Sequence, residues 1–132
     1  MFALNGTVSA AEFDDGVAAY KAANYPLALA IFNEHATRGD PRAQFALGLM
    51  IDNGEGVAAD PKTALEWFTK SADQGYAKAQ YQLGLMTLKG RGVVRDDTVA
   101  REWFAQAAEA GDPSALSRYR QFAEDGDIEA QY

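Results

Sequence analysis

Apolar residues recur along this chain three or four positions apart, with polar residues between them, which is the spacing of an amphipathic helix. The stripe of Leu27, Ala28, Ile31 and Phe32 is one example. Asn, Asp, Pro and Gly interrupt the pattern at intervals. The pattern therefore predicts seven helices, at about residues 9–22, 24–38, 40–52, 60–74, 76–89, 96–110 and 112–124.

The residues at the ends of these segments are typical helix caps. Asn or Asp close before Pro suits a helix start, because the side chain accepts a hydrogen bond from a first-turn amide and Pro needs no partner there. Such starts occur at Asn24-Tyr25-Pro26, Asp40-Pro41, Asp60-Pro61 and Asp112-Pro113, and Asp96 or Asp97 is predicted to start the sixth helix. Helix ends are predicted at Gly39, Gly75 and Gly111.

The two ends of the chain are less regular. For the first helix, Ser9 is predicted as the N-cap and Glu12 as its capping-box partner. The last helix is predicted to reach about Glu124, with Gly126 leading into a short tail. This last helix is markedly polar, as a terminal capping element of a repeat array must be.

The middle of the chain repeats itself. Ala43–Met50 reads Ala-Gln-Phe-Ala-Leu-Gly-Leu-Met, and Ala79–Met86 reads Ala-Gln-Tyr-Gln-Leu-Gly-Leu-Met. Shifting residues 40–75 onto 76–111 without a gap matches 16 of 36 positions. Self-similarity at this period is typical of stacked helical units that cannot bury their apolar faces alone. We divide the chain into an extension or signal-peptide remnant and one repeat domain. The extension is 1–8, and the domain, 9–132, comprises a shorter hairpin at 9–39, repeats at 40–75 and 76–111, and a terminal helix and tail at 112–132.

Small residues inside the predicted helices indicate close helix packing. Gly48 and Gly84 stand in mid-helix at the same repeat position, with Gly16 as their counterpart in the first hairpin. A glycine there costs about 1 kcal/mol relative to alanine, so its recurrence indicates that close contact outweighs helix propensity. Phe68 and Phe104, each preceded by Trp, are predicted to fill the space between hairpins.

These motifs resemble a known family. The Leu-Gly-Leu-Met sequence, the Gly-x-Gly-Val turn and Ala-Leu-Glu-Trp-Phe before an Ala-x-x-Gly ending are similar to Sel1-like repeats, relatives of the tetratricopeptide repeat. The resemblance covers about residues 25–126, and the hairpin at 9–39 is closer to a plain tetratricopeptide unit. It implies an all-α, right-handed α-solenoid of about three antiparallel hairpins plus a C-terminal capping helix. It also implies an adaptor or scaffold in protein–protein complexes, often in bacterial envelopes.

Composition narrows the possible partners. The chain has 132 residues, a formal net charge of −7 and no cysteine. An acidic surface repels nucleic-acid phosphates and anionic lipids, so neither is expected as the main partner. Without cysteine there are no disulfides, thiolate metal sites or cysteine nucleophiles. The apolar runs are too short to span a bilayer.

Other chemical motifs favour structural interpretations. Gly54-x-Gly56 and Gly90-x-Gly92 lack the Lys-Ser/Thr of a phosphate-binding loop, so we interpret them as turns in which the following valine plugs the hairpin. His35 is the only histidine and is predicted to be a surface or interhelix side chain. The acidic clusters at Asp14-Asp15 and at 124–129 match no calcium loop. We expect no catalytic residue, metal site or cofactor.

In the related tetratricopeptide pattern the first helix of each hairpin lines a concave surface. The outward offsets on these helices select ten candidate partner-binding residues: Phe13, Val17, Tyr20, Arg42, Phe45, Leu49, Lys78, Tyr81, Leu85 and Lys89. The same offsets also select Lys21, Asp52, Leu88, Ser117 and Gln121. Aromatic anchors with polar edges are typical of peptide-binding or helix-binding surfaces. The basic residues among them hint at an acidic segment in the ligand. Burial of some of these residues between hairpins is the alternative.

The sequence thus predicts a non-enzymatic protein-interaction module that holds a peptide or helix of another protein in its concave groove. One alternative is a self-assembling envelope protein that associates through the ends of its array. A small peptidoglycan-active hydrolase is a further alternative, but it lacks a nucleophile or matched carboxylate pair. Val8-Ser9-Ala10 has the form of a signal-peptidase site, which favours a periplasmic or secreted location over the cytoplasm.

Overall fold

The computed structural model describes the backbone of residues 11–130 and the side chains of residues 11–122 and 124. This part of the chain forms seven helices and no strand, so the predicted all-helical fold is confirmed. The helices are α1 (Phe13–Lys21), α2 (Tyr25–Thr37), α3 (Pro41–Asn53), α4 (Pro61–Asp73), α5 (Ala77–Lys89), α6 (Asp97–Glu109) and α7 (Pro113–Ala130). The chain divides into two compact units, residues 1–67 and residues 68–132, which we call unit 1 and unit 2, and the boundary lies within α4.

Most helix starts are capped as the sequence predicts. The side chain of Asp40 accepts from the amide of Arg42 at 2.9 Å, and that of Asp96 accepts from the amide of Val99 at 3.1 Å. These bonds satisfy amides that have no partner inside the helix. Asp96, rather than Asp97, is therefore the cap of α6.

The prediction for the start of α1 is wrong. Glu12 is itself the N-cap, and its capping-box partner is Asp15, whose carboxylate accepts the Glu12 amide at 2.8 Å. The helix begins at Phe13, so Glu12 lies outside it and cannot be the third helical residue. The predicted cap, Ser9, lies outside the described residues, as do the extension at 1–8 and the Val8-Ser9-Ala10 motif.

The second helices of the hairpins end at glycines with positive φ. Gly39, Gly75 and Gly111 have φ values of 98°, 85° and 101°, a left-handed conformation that glycine adopts without a steric penalty. The first helices α3 and α5 are likewise followed by glycines with positive φ, Gly54 and Gly90. The turn after α1 differs, because Ala23 has the positive φ there, at 59°. That turn is the one that the sequence shortens.

In unit 1 the core lies between α1, α2 and α3. Ala28, Phe32 and Ala36 of α2 pack with Leu47 and Met50 of α3, all at most 4% exposed. Helix α1 lies against α2 at a glycine, since a Cβ added to Gly16 would come within 2.6 Å of the Phe32 ring. The phenyl ring thus occupies the space that glycine leaves open.

Unit 2 repeats this arrangement with α5 and α6. A Cβ on Gly84 would lie 2.5 Å from Cε1 of Phe104, which is fully buried. Phe122 of α7 stacks on the same ring, with centroids 5.7 Å apart. The predicted close approach at Gly84 is therefore confirmed, and the contacting group is a phenyl ring rather than a helix backbone.

The Gly-x-Gly-Val turns have the predicted positive φ but not the predicted valine plug. Gly54 and Gly56 have φ values of 72° and 78°. Val57 and Val93 are 43% and 36% exposed, so neither fills the hairpin. Instead the backbone of Gly56 packs directly against α2, because a Cβ on Gly56 would come within 2.8 Å of the Cβ of Tyr25.

The last helix is longer than predicted. Helix α7 continues through Gly126 to Ala130, whereas the sequence suggests a stop near Glu124 and a tail beyond it. A single glycine inside a helix costs about 1 kcal/mol, which the surrounding helical residues can outweigh. The end of the predicted tail, residues 131–132, lies outside the described residues.

Candidate partner-binding surface

Helices α1 and α3 of unit 1 and α5 of unit 2 carry the ten candidate residues. Unit 1 contributes Phe13, Val17, Tyr20, Arg42, Phe45 and Leu49, which we call the unit-1 face. Unit 2 contributes Lys78, Tyr81, Leu85 and Lys89, which we call the unit-2 face. None of the ten is buried: Tyr20, Arg42, Lys78 and Lys89 are exposed, and the other six are half-buried.

The five additional residues from the same offsets give a mixed result. Lys21, Ser117 and Gln121 are exposed and Leu88 is half-buried. Asp52 is only 8% exposed, so its prediction as an outward residue is wrong. The loop after α3 folds back on the last turn of that helix, where the Asp60 amide donates to the Ile51 carbonyl at 3.0 Å. The spacing of residues along a helix does not reveal that a following loop covers the end of the helix.

Phe13 is held on both sides within unit 1. Its ring lies 5.5 Å from the buried ring of Phe32, and the Arg42 guanidinium lies 4.4 Å from its centroid. The guanidinium also donates to both Asp40 carboxylate oxygens, at 3.2 and 2.8 Å. Arg42 therefore joins α1 to the start of α3 through a cation–π contact and an ion pair.

The same pair shifts the Asp40 titration. The hydrogen bond from the Arg42 side chain holds the pKa of the Asp40 carboxyl below its ordinary value, against a smaller opposing effect of burial. Backbone amides of Arg42 and Ala43 act in the same direction. The start of α3 thus keeps its negative cap at neutral pH.

Tyr20 sits at the other end of α1 and is fixed by two groups. Its ring lies 5.5 Å from that of Tyr25, and its hydroxyl donates to Oε2 of Glu55 at 2.8 Å. The hydrogen bond to this carboxylate raises the pKa of Tyr20, with help from burial and the Glu55 charge. Tyr20 remains 36% exposed, so it is an anchored ring at the surface.

Tyr81 is the corresponding aromatic residue of unit 2. It is half-buried, and its ring centroid lies 5.5 Å from that of Phe104. Phe104 is locked between Gly84 and Phe122, so one side of Tyr81 has a rigid support. Lys78 and Lys89 are exposed at the two ends of α5 and place positive charge at both edges of the unit-2 face.

Sequence reasoning missed the residues that hold Tyr20. Tyr25 is singled out by the sequence only as part of a helix start, and Glu55 only as a turn residue. A usable signal is that Glu55 has Arg91 at its repeat position, so the repeat itself does not require a carboxylate there. The oxygen Oε1 of Glu55 is buried and has no hydrogen-bond partner.

The described residues offer little for chemistry on a small molecule. They contain no group of three or more His, Cys, Asp or Glu residues that could hold a metal ion. His35 is half-buried, and its Nε2 lies 2.8 Å from the carbonyl oxygen of Ala11, so it contacts the segment that precedes α1. Among the helices of residues 11–130, none is long and apolar enough to cross a membrane.

Comparisons with known proteins agree with this architecture. Residues 41–76 and 77–112 each match the Sel1 repeat. A Sel1 repeat protein from Oxalobacter formigenes is 32% identical with a TM-score of 0.83, over 87% of this chain and 47% of that one. A protective antigen of uropathogenic Escherichia coli with an SLR fold is 34% identical with a TM-score of 0.74, over 77% of this chain and 22% of that one.

Cysteine-rich protein B of Helicobacter pylori shares the fold with a TM-score of 0.66 at 21% identity, over 68% of each chain. This chain thus spans about half of the Oxalobacter protein and about a fifth of the Escherichia antigen. No curated protein matches the sequence significantly. With two matched repeats over residues 41–112 and an all-helical fold shared with these structures, the chain belongs to the Sel1 repeat family.

Proposed function

We propose that this chain is a non-enzymatic binding module whose unit-1 face and unit-2 face each bind a peptide or helical segment of another protein. Sel1 repeat proteins are generally scaffolds for protein–protein interaction, which makes protein the expected class of partner. Binding would involve burial of a partner segment on these faces without any covalent chemistry.

The observation that supports this proposal is the state of the aromatic side chains on the first helices. Phe13 and Tyr81 are each backed at 5.5 Å by a buried phenyl ring, and Tyr20 is tied to Glu55, yet all three keep exposed surface. Rings fixed in advance lose little conformational entropy when a partner covers them. Aromatic residues supported in this way are typical binding anchors.

Charge supports a preference within this class. The chain has a net charge of −7, but the exposed charged residues of the unit-2 face are Lys78 and Lys89, whereas Arg42 of the unit-1 face is paired with Asp40. Complementary charge mainly increases association rate and specificity. We therefore expect the bound segment to carry carboxylates beside its apolar residues.

The test uses one substitution on each face, Phe45→Ala with Tyr81→Ala. Wild-type and variant chains serve as bait for proteins of the source cell, and the captured partner is then purified and titrated calorimetrically. Loss of each anchor is expected to cost about 1–3 kcal/mol, so the double variant should bind at least about tenfold more weakly. Helical circular dichroism verifies that the variant is folded.

The matched control is Val57→Ala with Val94→Ala. These valines are 43% and 85% exposed but lie in loops outside both faces, so their loss should leave the affinity unchanged. If the double variant of Phe45 and Tyr81 captures and binds the partner as well as wild type does, the proposed faces are not the binding surface.

We also propose export from the cytoplasm, on the basis of the Val8-Ser9-Ala10 motif. Amino-terminal sequencing of the protein isolated from the source cell tests this proposal directly. A mature chain that begins at Ala11 is the expected result, and a chain that retains residues 1–10 would contradict cleavage at this motif.

A further inference from the structure

A cleft of about 610 Å³ lies along α1 and α2 in unit 1, away from the residues of the unit-1 face. Small side chains of α1 line one side, and Leu27 and Ile31 of α2 line the other. Asp15 is exposed at the cleft and is its only charged lining residue. The cleft is thus an apolar slot with one carboxylate.

The internal repeat identifies what this slot is shaped for. Gly16 aligns with Gly48 and Gly84, so Ala11, just before α1, and Asp15 and Ala18 of α1 occupy the positions of Ala43, Leu47 and Met50 in α3 and of Ala79, Leu83 and Met86 in α5. All six of those residues are at most 4% exposed. In unit 1, Ala43, Leu47 and Met50 are buried against the preceding helix, α2.

Helix α1 and its cleft therefore present a helix-receiving face. Two substitutions adapt this face. Asp15 stands where the repeats have leucine, and Ala18 stands where they have methionine, which leaves both room and a negative charge. A helix that carries one apolar side chain and a cation fits this combination better than another standard repeat helix does.

Helix α7 has such a combination. Leu116 occupies the position of Gln80, but it is 40% exposed whereas Gln80 is 6% exposed. Arg120 is exposed one turn later and stands at the position of Gly84. An arginine there removes the space that Gly84 gives to Phe104, so a following helix cannot pack on α7 as α6 packs on α5. This side of α7 is consequently open to another molecule.

We propose that the α1–α2 cleft of one copy of this chain receives helix α7 of a second copy, with Leu116 among the alanines and Arg120 beside Asp15. The pairing is heterologous, because the two surfaces that meet are different. The contact uses neither the unit-1 nor the unit-2 face, so it allows partner binding to continue. A single helix in a cleft makes a small interface, and the association is accordingly weak.

The test is sedimentation equilibrium of the full chain at concentrations from about 10 µM to about 1 mM, which brackets weak dissociation constants. The weight-average mass is expected to rise above 14.3 kDa with concentration. Leu116→Glu should weaken the association at least about tenfold, because it places a carboxylate in an apolar slot beside Asp15. Arg120→Glu should weaken it, and adding Asp15→Asn, which removes the facing charge but keeps an oxygen that can accept the Glu12 amide at the start of α1, should recover part of the loss.

Val94→Glu is the control for a nonspecific loss of apolar surface, since Val94 is 85% exposed and lies elsewhere in unit 2. It should associate as wild type does. A chain that stays monomeric at every concentration overturns the proposal. So does an association that Leu116→Glu leaves unchanged, or a loss through Arg120→Glu of which Asp15→Asn recovers nothing.

Discussion

At the scale of single residues, Gln44 and Gln80 occupy the same repeat position and make the same hydrogen bond. Nε2 of Gln44 donates to the Ala36 carbonyl at 3.2 Å, and Nε2 of Gln80 donates to the Ala72 carbonyl at 3.3 Å. Each carbonyl also accepts a backbone amide, from Gly39 at 3.0 Å and from Gly75 at 2.9 Å, so the glutamine is a second donor that ties the next helix to the end of the preceding one. The sequence displays this glutamine twice but does not reveal its acceptor.

Gly84 is the residue at which the packing is most easily tested. Gly84→Ala places a methyl group 2.5 Å from the buried Phe104 ring, and overpacking of this kind costs about 1–3 kcal/mol. We expect this loss in the free energy of unfolding, measured by urea titration with circular dichroism. Adding Phe104→Leu should recover part of the loss, because the smaller side chain leaves room for the methyl group.

A comparison of Gly84→Ala with and without Phe104→Leu separates packing from propensity. Alanine has the higher helix propensity, so an isolated effect on the helix would raise stability by about 1 kcal/mol. An unchanged or increased stability of the single variant would contradict the close contact between α5 and α6.

At the scale of elements, the loops after α3 and α5 make the same backbone hydrogen bonds but carry different side chains. The amides of Glu55 and Arg91 both donate at 2.9 Å, to the carbonyls of Met50 and Met86. The later amides of Asp60 and Asp96 return to Ile51 and Thr87 at 3.0 and 3.2 Å. The first loop is acidic and small, with Glu55, Ala58 and Ala59, where the second has Arg91, Val94 and Arg95.

The structure therefore predicts that the second loop tolerates the sequence of the first. Arg91→Glu, Val94→Ala and Arg95→Ala together should change the free energy of unfolding by less than about 1 kcal/mol, because the replaced side chains are exposed and the Arg95–Asp97 ion pair is at the surface. Thermal unfolding followed by circular dichroism measures this. A loss of more than about 2 kcal/mol would mean that these side chains hold the loop.

The sequence predicts the helices and their ends better than it predicts the packing between them. The helices, their Asp caps and the glycine stops follow from local rules, since each depends on a few neighbouring residues. The valine plug, the buried Asp52 and the start of α1 were predicted wrongly. The first two depend on how a loop packs against a helix, and a helical offset contains no information about that. The start of α1 is ambiguous in the sequence because Glu12 and Asp15 have the same spacing as Ser9 and Glu12.

The candidate surface was predictable only as a set of positions. The offsets selected ten residues that all keep exposed surface, yet the contacts that orient them come from residues distant in sequence. Glu55 is 35 positions from Tyr20, and Arg42 reaches Phe13 from another helix. Packing partners at such separations follow from the fold and not from the local pattern.

At the scale of the whole molecule, charge determines the response to acid. The pKa values of Asp40, Asp60 and Asp97 lie below the ordinary value, mainly because of hydrogen bonds from Arg42, Thr63 and Arg95 respectively. A carboxyl whose folded pKa is depressed stabilises the fold above its unfolded pKa of about 4, and that stability is lost as pH falls through the folded pKa. The chain should therefore lose stability from about pH 4 downward.

Asp40→Asn tests this origin of acid sensitivity. The substitution keeps an amide-accepting oxygen at the cap but removes the titrating charge, so stability should depend less steeply on pH below about 4 than in wild type. Urea titrations at a series of pH values give the slope. Because the Arg42 side chain is 53% exposed and solvent screens its pair with Asp40, the difference should stay below about 1 kcal/mol. An identical slope for the two proteins would rule out a contribution from this pair.

The rings of Phe32 and Phe104 fill the space beside Gly16 and Gly84, and this packing has an evolutionary consequence. Any replacement of Gly16 or Gly84 adds atoms to a filled site, whereas the exposed positions of the first helices and loops can change without disturbing that fit. Mutation can thus change these exposed side chains while the buried contacts of Gly16 and Gly84 stay constant. If the exposed side chains bind a partner, their substitution can change the binding preference without altering how the helices pack.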